Sequence, residues 1–256
     1  MTSREKIISE IKNHPLKTKD RRIESLFKDD SRFKKYSREA CGIFLDFSKT
    51  NLDSRTLDLL KKLLIESSFF DAREDLFEGR KVNISENRPS FHTIMRSRLK
   101  SIFVAGKDVK KDMDFEHKKL ETFCNNIQSG SITGSTGKKF TDIVNIGIGG
   151  SQTGPEMIIK ALKPFQTGLK IHFLSNIDPS DLFDVLEELN PETTLFIVVS
   201  KSFKTLETLN NATFVENWLR TRLESAKATG KHFVAVSSNM RNVENFSLTF
   251  NYVFKI

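Results

Sequence analysis

A run of glycines follows an apolar segment in VNIGIGGSQTGPEMIIKAL, residues 144–162, and gives this stretch the chemistry of an anion site. Four glycines lie around Ser151, where glycine lets the backbone turn sharply and brings N–H groups close to a ligand. A helix that begins directly after the turn would add the positive end of its dipole. The pattern favours a phosphate or sugar phosphate as ligand, and glycines that serve packing alone are an equally good explanation of one such loop.

Two better-known glycine-rich loops do not fit these residues. A dinucleotide-binding loop needs a glycine three positions after Gly149, where this chain has Gln152. A P-loop needs Lys and Ser or Thr after Gly154, where Pro155 and Glu156 stand. Nicotinamide, flavin and nucleoside triphosphates are therefore disfavoured as ligands.

A second set of anion-binding side chains follows the apolar run 195–199. It consists of four hydroxyl residues, Ser200, Ser202, Thr205 and Thr208, and two lysines, Lys201 and Lys204. A phosphate dianion needs several short donors and one or two positive charges. Helix capping accounts for one or two of the hydroxyls but not for the paired lysines. We therefore expect this loop to bind a phosphate without a metal.

The elements that would position these two loops alternate between strands and helices. The predicted strands are 143–148, 170–174, 195–199 and 233–236, and the predicted helices are 155–162, 179–189, 205–223 and a weaker one near residue 241. This alternation predicts an α/β fold with a parallel sheet flanked by helices. Because ligands bind outside the carboxyl ends of the strands in such sheets, both loops would lie at the binding edge.

Capping signals predict where two of these helices begin. Thr153 and Glu156 have the spacing of a capping box, and Pro155 between them suits the first turn of a helix. Asp178 followed by Pro179 is a second N-terminal signal. The sequence therefore predicts helices that begin near Pro155 and at Pro179.

The part of the chain before the sheet has a mainly helical pattern. Leucines recur at helical spacing from Leu57 to Leu64 after two possible capping residues, Asn51 and Asp53. The segment 128–139 is rich in Gly, Ser and Thr and marks a boundary between the two patterns. The prediction is a mainly helical N-terminal region over 1–128 and a sugar-phosphate-binding α/β domain over 129–256.

One histidine and two cysteines could be reactive, but the sequence gives them neither a catalytic nor a metal-binding role. His92 could act as a base, but a lone histidine of this kind is more often a hydrogen-bonded structural residue. Cys41 and Cys124 lack CxxC spacing and neighbouring histidines, which favours two unpaired thiols over a disulfide or a zinc site. We assign no metal ligand and no catalytic residue.

The distribution of charge and the length of the apolar runs indicate which classes of binding partner the sequence disfavours. The net charge is +8, with 23 Lys and Arg against 16 Asp and Glu in residues 1–100, and 18 against 17 in residues 101–256. Basic and acidic residues are interleaved in the first part, as on a solvated helical surface. The longest aliphatic run is too short to cross a bilayer, and the first residues are charged. We therefore expect a cytoplasmic protein that binds neither nucleic acid nor membrane.

Several motifs in order resemble those of the phosphoglucose isomerase (glucose-6-phosphate isomerase) family. IGIGGSQTGP resembles that family's first strand-end loop, and SKSFKTLET resembles its phosphate loop, usually SKTFTTQET. The motifs DFSKTN (46–51), FEGRKVNISENRPSFH (77–92) and SGSITGSTGK (129–138) extend the resemblance over nearly the whole chain. The resemblance implies a sugar-isomerase-type (SIS) α/β domain, a sugar-phosphate substrate, no cofactor, a homodimer, and a place in glycolysis and gluconeogenesis.

The resemblance also implies roles for individual residues. Gly150 and Ser151 would contact the sugar, and Ser200, Lys201, Ser202 and Thr205 would hold its phosphate. Ser202 stands where the family has threonine and keeps the hydroxyl. Lys204 replaces a threonine and Leu206 a glutamine, so these two departures bear on the geometry of the loop.

The family's catalytic residues have no counterparts in this sequence. Aldose–ketose isomerisation needs a base that moves a proton between C1 and C2, a positive group beside the oxyanion, and an acid–base pair that opens the ring. In the family these are a glutamate, the arginine of a GGR motif, a histidine of the partner subunit and a late lysine. Glu207 is better explained as a complement to a helix dipole. We therefore expect a truncated chain that binds sugar phosphate but is inactive alone, and that a separate C-terminal chain could complete.

Two alternatives stay open at this point. One is a sugar-phosphate-sensing module without catalysis. The other is an NAD-dependent dehydrogenase, which is the weaker of the two because of Gln152.

Overall fold

A computed structural model describes residues 1–14, 22–223 and 228–256. These residues form two compact units, Met1–Lys110 and Lys111–Ile256. The predicted division into functional domains at residue 128 stays a prediction. So does the solvated surface predicted for the charged stretch 17–39, of which residues 17–21 lie outside the described ranges.

The first unit consists of short helices and two small hairpins. Its elements are α1 (Ser3–Lys12), α2 (Arg32–Lys35), β1 (Ser37–Ala40), β2 (Ile43–Asp46), α3 (Ser54–Glu66), α4 (Phe69–Phe77), α5 (His92–Met95), β3 (Phe103–Val104) and β4 (Lys107–Asp108), with a 3-10 helix at Ile23–Lys28. The Asp53 carboxylate accepts a hydrogen bond from the Thr56 amide at 2.8 Å and caps α3, so the leucine-rich helix predicted after Asp53 is confirmed. The antiparallel pairs β1–β2 and β3–β4 were not predicted.

A buried arginine organises the motif at residues 46–51 of the first unit. The Arg32 side chain donates from Nε to the Ser48 carbonyl at 2.8 Å, and from Nη2 to the carbonyls of Thr50 at 2.8 Å and Leu52 at 3.1 Å. Its guanidinium also lies 4.4 Å from the centre of the Tyr36 ring. Arg32 is only 4% exposed, so backbone carbonyls and an aromatic ring replace water around its charge.

The second unit contains a five-stranded sheet with helices between its strands. Its elements are α6 (Val109–Ser129), β5 (Asp142–Ile146), α7 (Gly150–Ala161), β6 (Lys170–Leu174), α8 (Pro179–Glu187), β7 (Thr194–Val199), α9 (Leu206–Leu223), β8 (Phe233–Ser237), α10 (Met240–Glu244) and β9 (Tyr252–Lys255), with 3-10 helices at Lys163–Phe165 and Thr229–His232. The strand order is β6-β5-β7-β8-β9, and every pairing is parallel. The predicted parallel α/β fold is confirmed, and β9 is a fifth strand that was not predicted.

Apolar side chains cover both faces of this sheet, as is usual for parallel strands. On one face, Val144, Phe196 and Phe233 pack with residues of α9 such as Val215, all fully buried. On the other face, Phe123 of α6 belongs to a second cluster formed with strand residues of alternate position. Because alternate residues of each strand are buried in different clusters, a shift of one residue would place apolar side chains on the wrong face. The two clusters therefore specify the register of the strands.

A buried histidine ties the Gly-, Ser- and Thr-rich segment 128–139 to the sheet. The Nδ1 atom of His232 lies 2.8 Å from the Thr194 carbonyl oxygen, and Nε2 lies 3.0 Å from the Ser135 amide nitrogen. A carbonyl can only accept and an amide N–H can only donate, so Nδ1 carries the hydrogen and Nε2 accepts. Burial lowers the pKa of His232 below its ordinary value of 6.5, because a charged imidazolium is disfavoured away from water.

Stability of the second unit is expected to fall in mild acid because of His232. Its folded pKa lies below the unfolded value of 6.5, so its contribution is complete above pH 6.5 and is lost as the pH falls from there toward the folded pKa. Urea unfolding followed by fluorescence of the single tryptophan, Trp218, at about pH 7.5 and about pH 5.5 would measure this loss. His232→Gln should lose less stability over that interval, and equal losses in both chains would contradict the assignment.

Candidate functional site

The glycine loop, residues 147–149, joins the end of β5 to the first residue of α7. Gly149 precedes the helix with φ 59° and no side chain caps it. The predicted helix start near Pro155 is wrong, because α7 begins five residues earlier, at Gly150. Thr153 is already helical and donates its hydroxyl to the Gly149 carbonyl at 3.0 Å. The strand is also shorter than predicted, since β5 ends at Ile146 and Ile148 is 41% exposed.

Pro155 lies inside α7, where it cannot donate the backbone hydrogen bond that residue 151 would accept. The side chain of Asn145 in β5 supplies a substitute, because its Nδ2 donates to the Ser151 carbonyl at 3.0 Å. Asn145 is buried and Ser151 is half-buried, so this bond is partly shielded from water. It anchors the first turn of α7 to the end of β5, and nothing in the sequence near Pro155 points to Asn145.

Gly147 allows the glycine loop to lie against its neighbours. A Cβ atom built there would lie 2.9 Å from the Ser151 Cβ, 2.9 Å from the Ser151 carbonyl oxygen and 3.2 Å from the Val199 carbonyl oxygen. By contrast, a Cβ at Gly150 would meet no atom within 4 Å. The loop is therefore tightly packed at its buried end and open at the start of the helix.

The hydroxyl loop, residues 200–205, joins the end of β7 to α9. Ser200 is buried, and its Oγ lies 3.2 Å from the Thr205 Oγ1. Lys201, Ser202 and Lys204 are exposed. Thr208, in the first turn of α9, is buried, and its Oγ1 finds no hydrogen-bond partner in the part of the chain that the structure describes.

The strand order brings the two loops to the same place. β5 and β7 are neighbours in the sheet, paired from Asp142↔Thr194 to Ile146↔Val198. The chain leaves β5 through α7 toward β6 on one side, and leaves β7 through α9 toward β8 on the other. Such a reversal opens a crevice at the carboxyl ends of the two strands, which is where ligands bind in open α/β sheets.

The electrostatics of this edge suit an anion. α7 and α9 both begin there, so each directs the positive end of its dipole toward this edge. A hydrogen bond from Lys160, 2.7 Å away, lowers the pKa of the Glu156 carboxyl, which also accepts from Gln152 at 2.8 Å. This acid is therefore already paired. Within the described ranges no group of three or more His, Cys, Asp or Glu side chains could hold a metal ion.

The structure thus brings together all six residues singled out by resemblance. Gly150 and Ser151 form the first turn of α7, and Ser200, Lys201, Ser202 and Thr205 form the hydroxyl loop on the neighbouring strand. Their roles toward a ligand stay predictions. The other candidates are plainly placed: His92 is exposed at the start of α5, and Cys41 and Cys124 are unpaired and exposed. None of the described helices is both long and apolar enough to span a membrane.

Comparison with known proteins gives one family. The family model described as phosphoglucose isomerase matches residues 46–256. A crystal structure of a glucose-6-phosphate isomerase from Chlamydia trachomatis is similar with a TM-score of 0.75 and 28% identity, over 89% of this chain and 43% of that chain. A hypothetical protein from Thermus thermophilus shares the fold, with a TM-score of 0.51 and 23% identity over 80% of this chain and 43% of that chain. The chain therefore spans less than half the length of both structures.

Proposed function

Because this chain belongs to the phosphoglucose isomerase family, we propose that its second unit binds glucose 6-phosphate or its ketose isomer, fructose 6-phosphate. The observation that carries the proposal is the position of the two loops. They follow neighbouring strands at the point where the chain direction reverses. A sugar phosphate has a phosphate at one end and hydroxyl groups at the other, so it matches a crevice with the hydroxyl loop on one side and the glycine loop on the other.

The hydroxyl loop is the phosphate wall in this proposal. Ser202 and Thr205 offer hydroxyl donors, and Lys201 is exposed at the same loop. These groups surround the start of α9, whose free N–H groups favour a dianion. Lys204 adds a further exposed positive charge and would raise the rate of encounter with an anionic ligand.

The glycine loop and the first turn of α7 are the sugar wall. Gly150 is exposed and its Cα faces open space, so a sugar hydroxyl can approach the backbone there without a side chain in the way. Ser151 is half-buried beside it and offers a hydroxyl that can donate and accept. Asn145 holds this turn in place through the Ser151 carbonyl.

We further propose that these 256 residues bind the sugar phosphate without isomerising it. Proton transfer between C1 and C2 needs a base close to both carbons and a cation beside the developing oxyanion. The first two turns of α7 and of α9 contain two carboxylates, Glu156 and Glu207. Glu156 is paired with Lys160. The complete reaction, an aldose–ketose isomerisation of glycolysis and gluconeogenesis in the cytoplasm, then needs a second SIS domain and a homodimer, or a separate chain that supplies them.

One preparation tests both halves of the proposal. Glucose 6-phosphate at about a hundred times its Kd should raise the Tm of the second unit by roughly 5–10 °C, because it binds only the folded state. A coupled assay for fructose 6-phosphate on the same preparation should show no turnover. An unchanged Tm would contradict the binding site, and robust turnover would contradict the assignment of catalysis to residues outside this chain.

A further inference from the structure

Two consecutive carbonyl groups of the hydroxyl loop are held by the end of β8 and the segment that follows it. The Lys201 carbonyl oxygen accepts hydrogen bonds from Ser237 Oγ at 3.1 Å, Ser238 Oγ at 2.8 Å and the Ser238 amide at 3.1 Å. The Ser202 carbonyl oxygen accepts from Asn242 Nδ2 at 2.9 Å. Both peptide groups of the loop are therefore oriented by residues of β8, α10 and the turn between them.

The orientation of the first of these peptides, Lys201–Ser202, matters for an anion, because the N–H of the second, that of Phe203, is already bonded within the loop. A carbonyl oxygen carries partial negative charge and repels phosphate, whereas the N–H on the opposite side of the same trans peptide attracts it. With the Lys201 carbonyl directed toward β8 and α10, the Ser202 N–H points in the opposite direction within the same peptide plane. The Phe203 amide donates to the Ser200 carbonyl at 3.2 Å and closes the turn.

A buried aromatic ring fixes the loop at a third point. Phe203 has φ 51°, in the left-handed region that side chains other than glycine seldom adopt, and is only 2% exposed. Its ring meets those of Phe246 and Phe250 edge-on, with centroids 5.7 and 5.6 Å away. These contacts offset the strained backbone and hold the loop in the conformation in which its carbonyls reach Ser238 and Asn242.

We propose that Ser238, Asn242 and Phe203 are positioning residues that set the affinity of the hydroxyl loop for phosphate. They need not contact the ligand: Ser238 and Asn242 bond to carbonyls of the loop, and Phe203, which belongs to the loop, anchors it through its buried ring. The inference rests on the proposed phosphate site. It adds residues for which no sequence motif gave a role, and it names the class of ligand that they serve, a phosphate monoester.

Asn242→Ala and Ser238→Ala test the inference, with Asn245→Ala as the matched control. Asn245 is an exposed asparagine at the end of the same helix, α10. Calorimetric titration with glucose 6-phosphate and with inorganic phosphate should show about five- to tenfold weaker binding for the first two variants and unchanged binding for the control, since one hydrogen bond is lost in each. Ser238→Thr keeps the hydroxyl and should restore the affinity.

Two further readouts separate positioning from a general loss of stability. The Tm of Asn242→Ala should stay close to that of Asn245→Ala, and hydrogen exchange should become faster at residues 201–205 before it changes elsewhere in the sheet. Variants that bind both ligands as tightly as the unaltered chain overturn the inference. If the unaltered chain itself binds neither ligand, both the proposed function and this inference fail. That outcome differs from failure of the inference alone, because it is seen before any residue is substituted.

Discussion

Gly147→Ala is expected to destabilise the second unit by about 2–4 kcal/mol and to displace the glycine loop. The added Cβ would lie 2.9 Å from both the Cβ and the carbonyl oxygen of Ser151 and 3.2 Å from the carbonyl oxygen of Val199. Two of these three atoms belong to the backbone and cannot rotate away. Relief would have to come from a shift of α7 away from β7, which would also alter the sugar wall of the proposed site.

Gly154→Ala is the matched control, since Gly154 lies in the same helix and a Cβ there would meet no atom within 4 Å. Alanine loses less backbone entropy than glycine in a helix, so this variant should be more stable by about 0.5–1 kcal/mol. Urea unfolding followed by Trp218 fluorescence measures both variants. Two variants of equal stability would show that the glycine loop is not closely packed against α7 and β7.

Arg32→Met should destabilise the first unit by about 3–5 kcal/mol, the second large effect that the structure predicts. Methionine can fill much of the same space, but it leaves the carbonyls of Ser48, Thr50 and Leu52 without their donor. The ring of Tyr36 also loses the cation above it. Hydrogen exchange across residues 46–52 should rise toward the rate of an unfolded segment.

Arg38→Met provides the comparison for Arg32. The Arg38 guanidinium also donates to backbone carbonyls, those of Lys35 and Ser37, but Arg38 is exposed and water can replace those bonds. The expected change in the free energy of unfolding is within about 0.5 kcal/mol. If Arg32→Met were as mild as Arg38→Met, the motif at residues 46–51 would not depend on the buried arginine.

The strands of the second unit could be predicted from sequence because both faces of the sheet are covered. Each strand is then a short apolar run with polar residues at its ends, and the predicted strand at 170–174 has the same bounds as β6. Asp178 caps α8 as expected, with its carboxylate 2.9 Å from the Ser180 amide. The two loops could be singled out for the same reason, since each begins where an apolar run stops.

The start of α7 could not be predicted, because local and distant interactions compete there. Thr153 and Glu156 have capping spacing, yet the helix extends upstream to Gly150. The bond from Asn145 makes this possible by satisfying the carbonyl that Pro155 cannot serve. An interaction that depends on the end of a strand folding beside a helix leaves no periodic signal in the sequence.

The same limit applies to the order of the strands and to the support of the hydroxyl loop. Sequence spacing places the second loop two strands after the first, whereas the sheet places β5 and β7 side by side. Ser238 and Asn242 reach the loop from a later part of the chain, the turn after β8 and helix α10. Nor does the sequence indicate the left-handed backbone of Phe203, which depends on rings contributed by residues 246 and 250.

Calorimetric titration of the unaltered chain with glucose 6-phosphate, glucose and NAD tests the central claim, which is a sugar-phosphate site between β5 and β7. We predict binding of glucose 6-phosphate, with no detectable binding of glucose or NAD under the same conditions. Lys201→Ala should weaken binding of glucose 6-phosphate by about tenfold to a hundredfold, the usual range for loss of a charged donor. The absence of binding by glucose 6-phosphate, or equally tight binding of NAD, would contradict this claim.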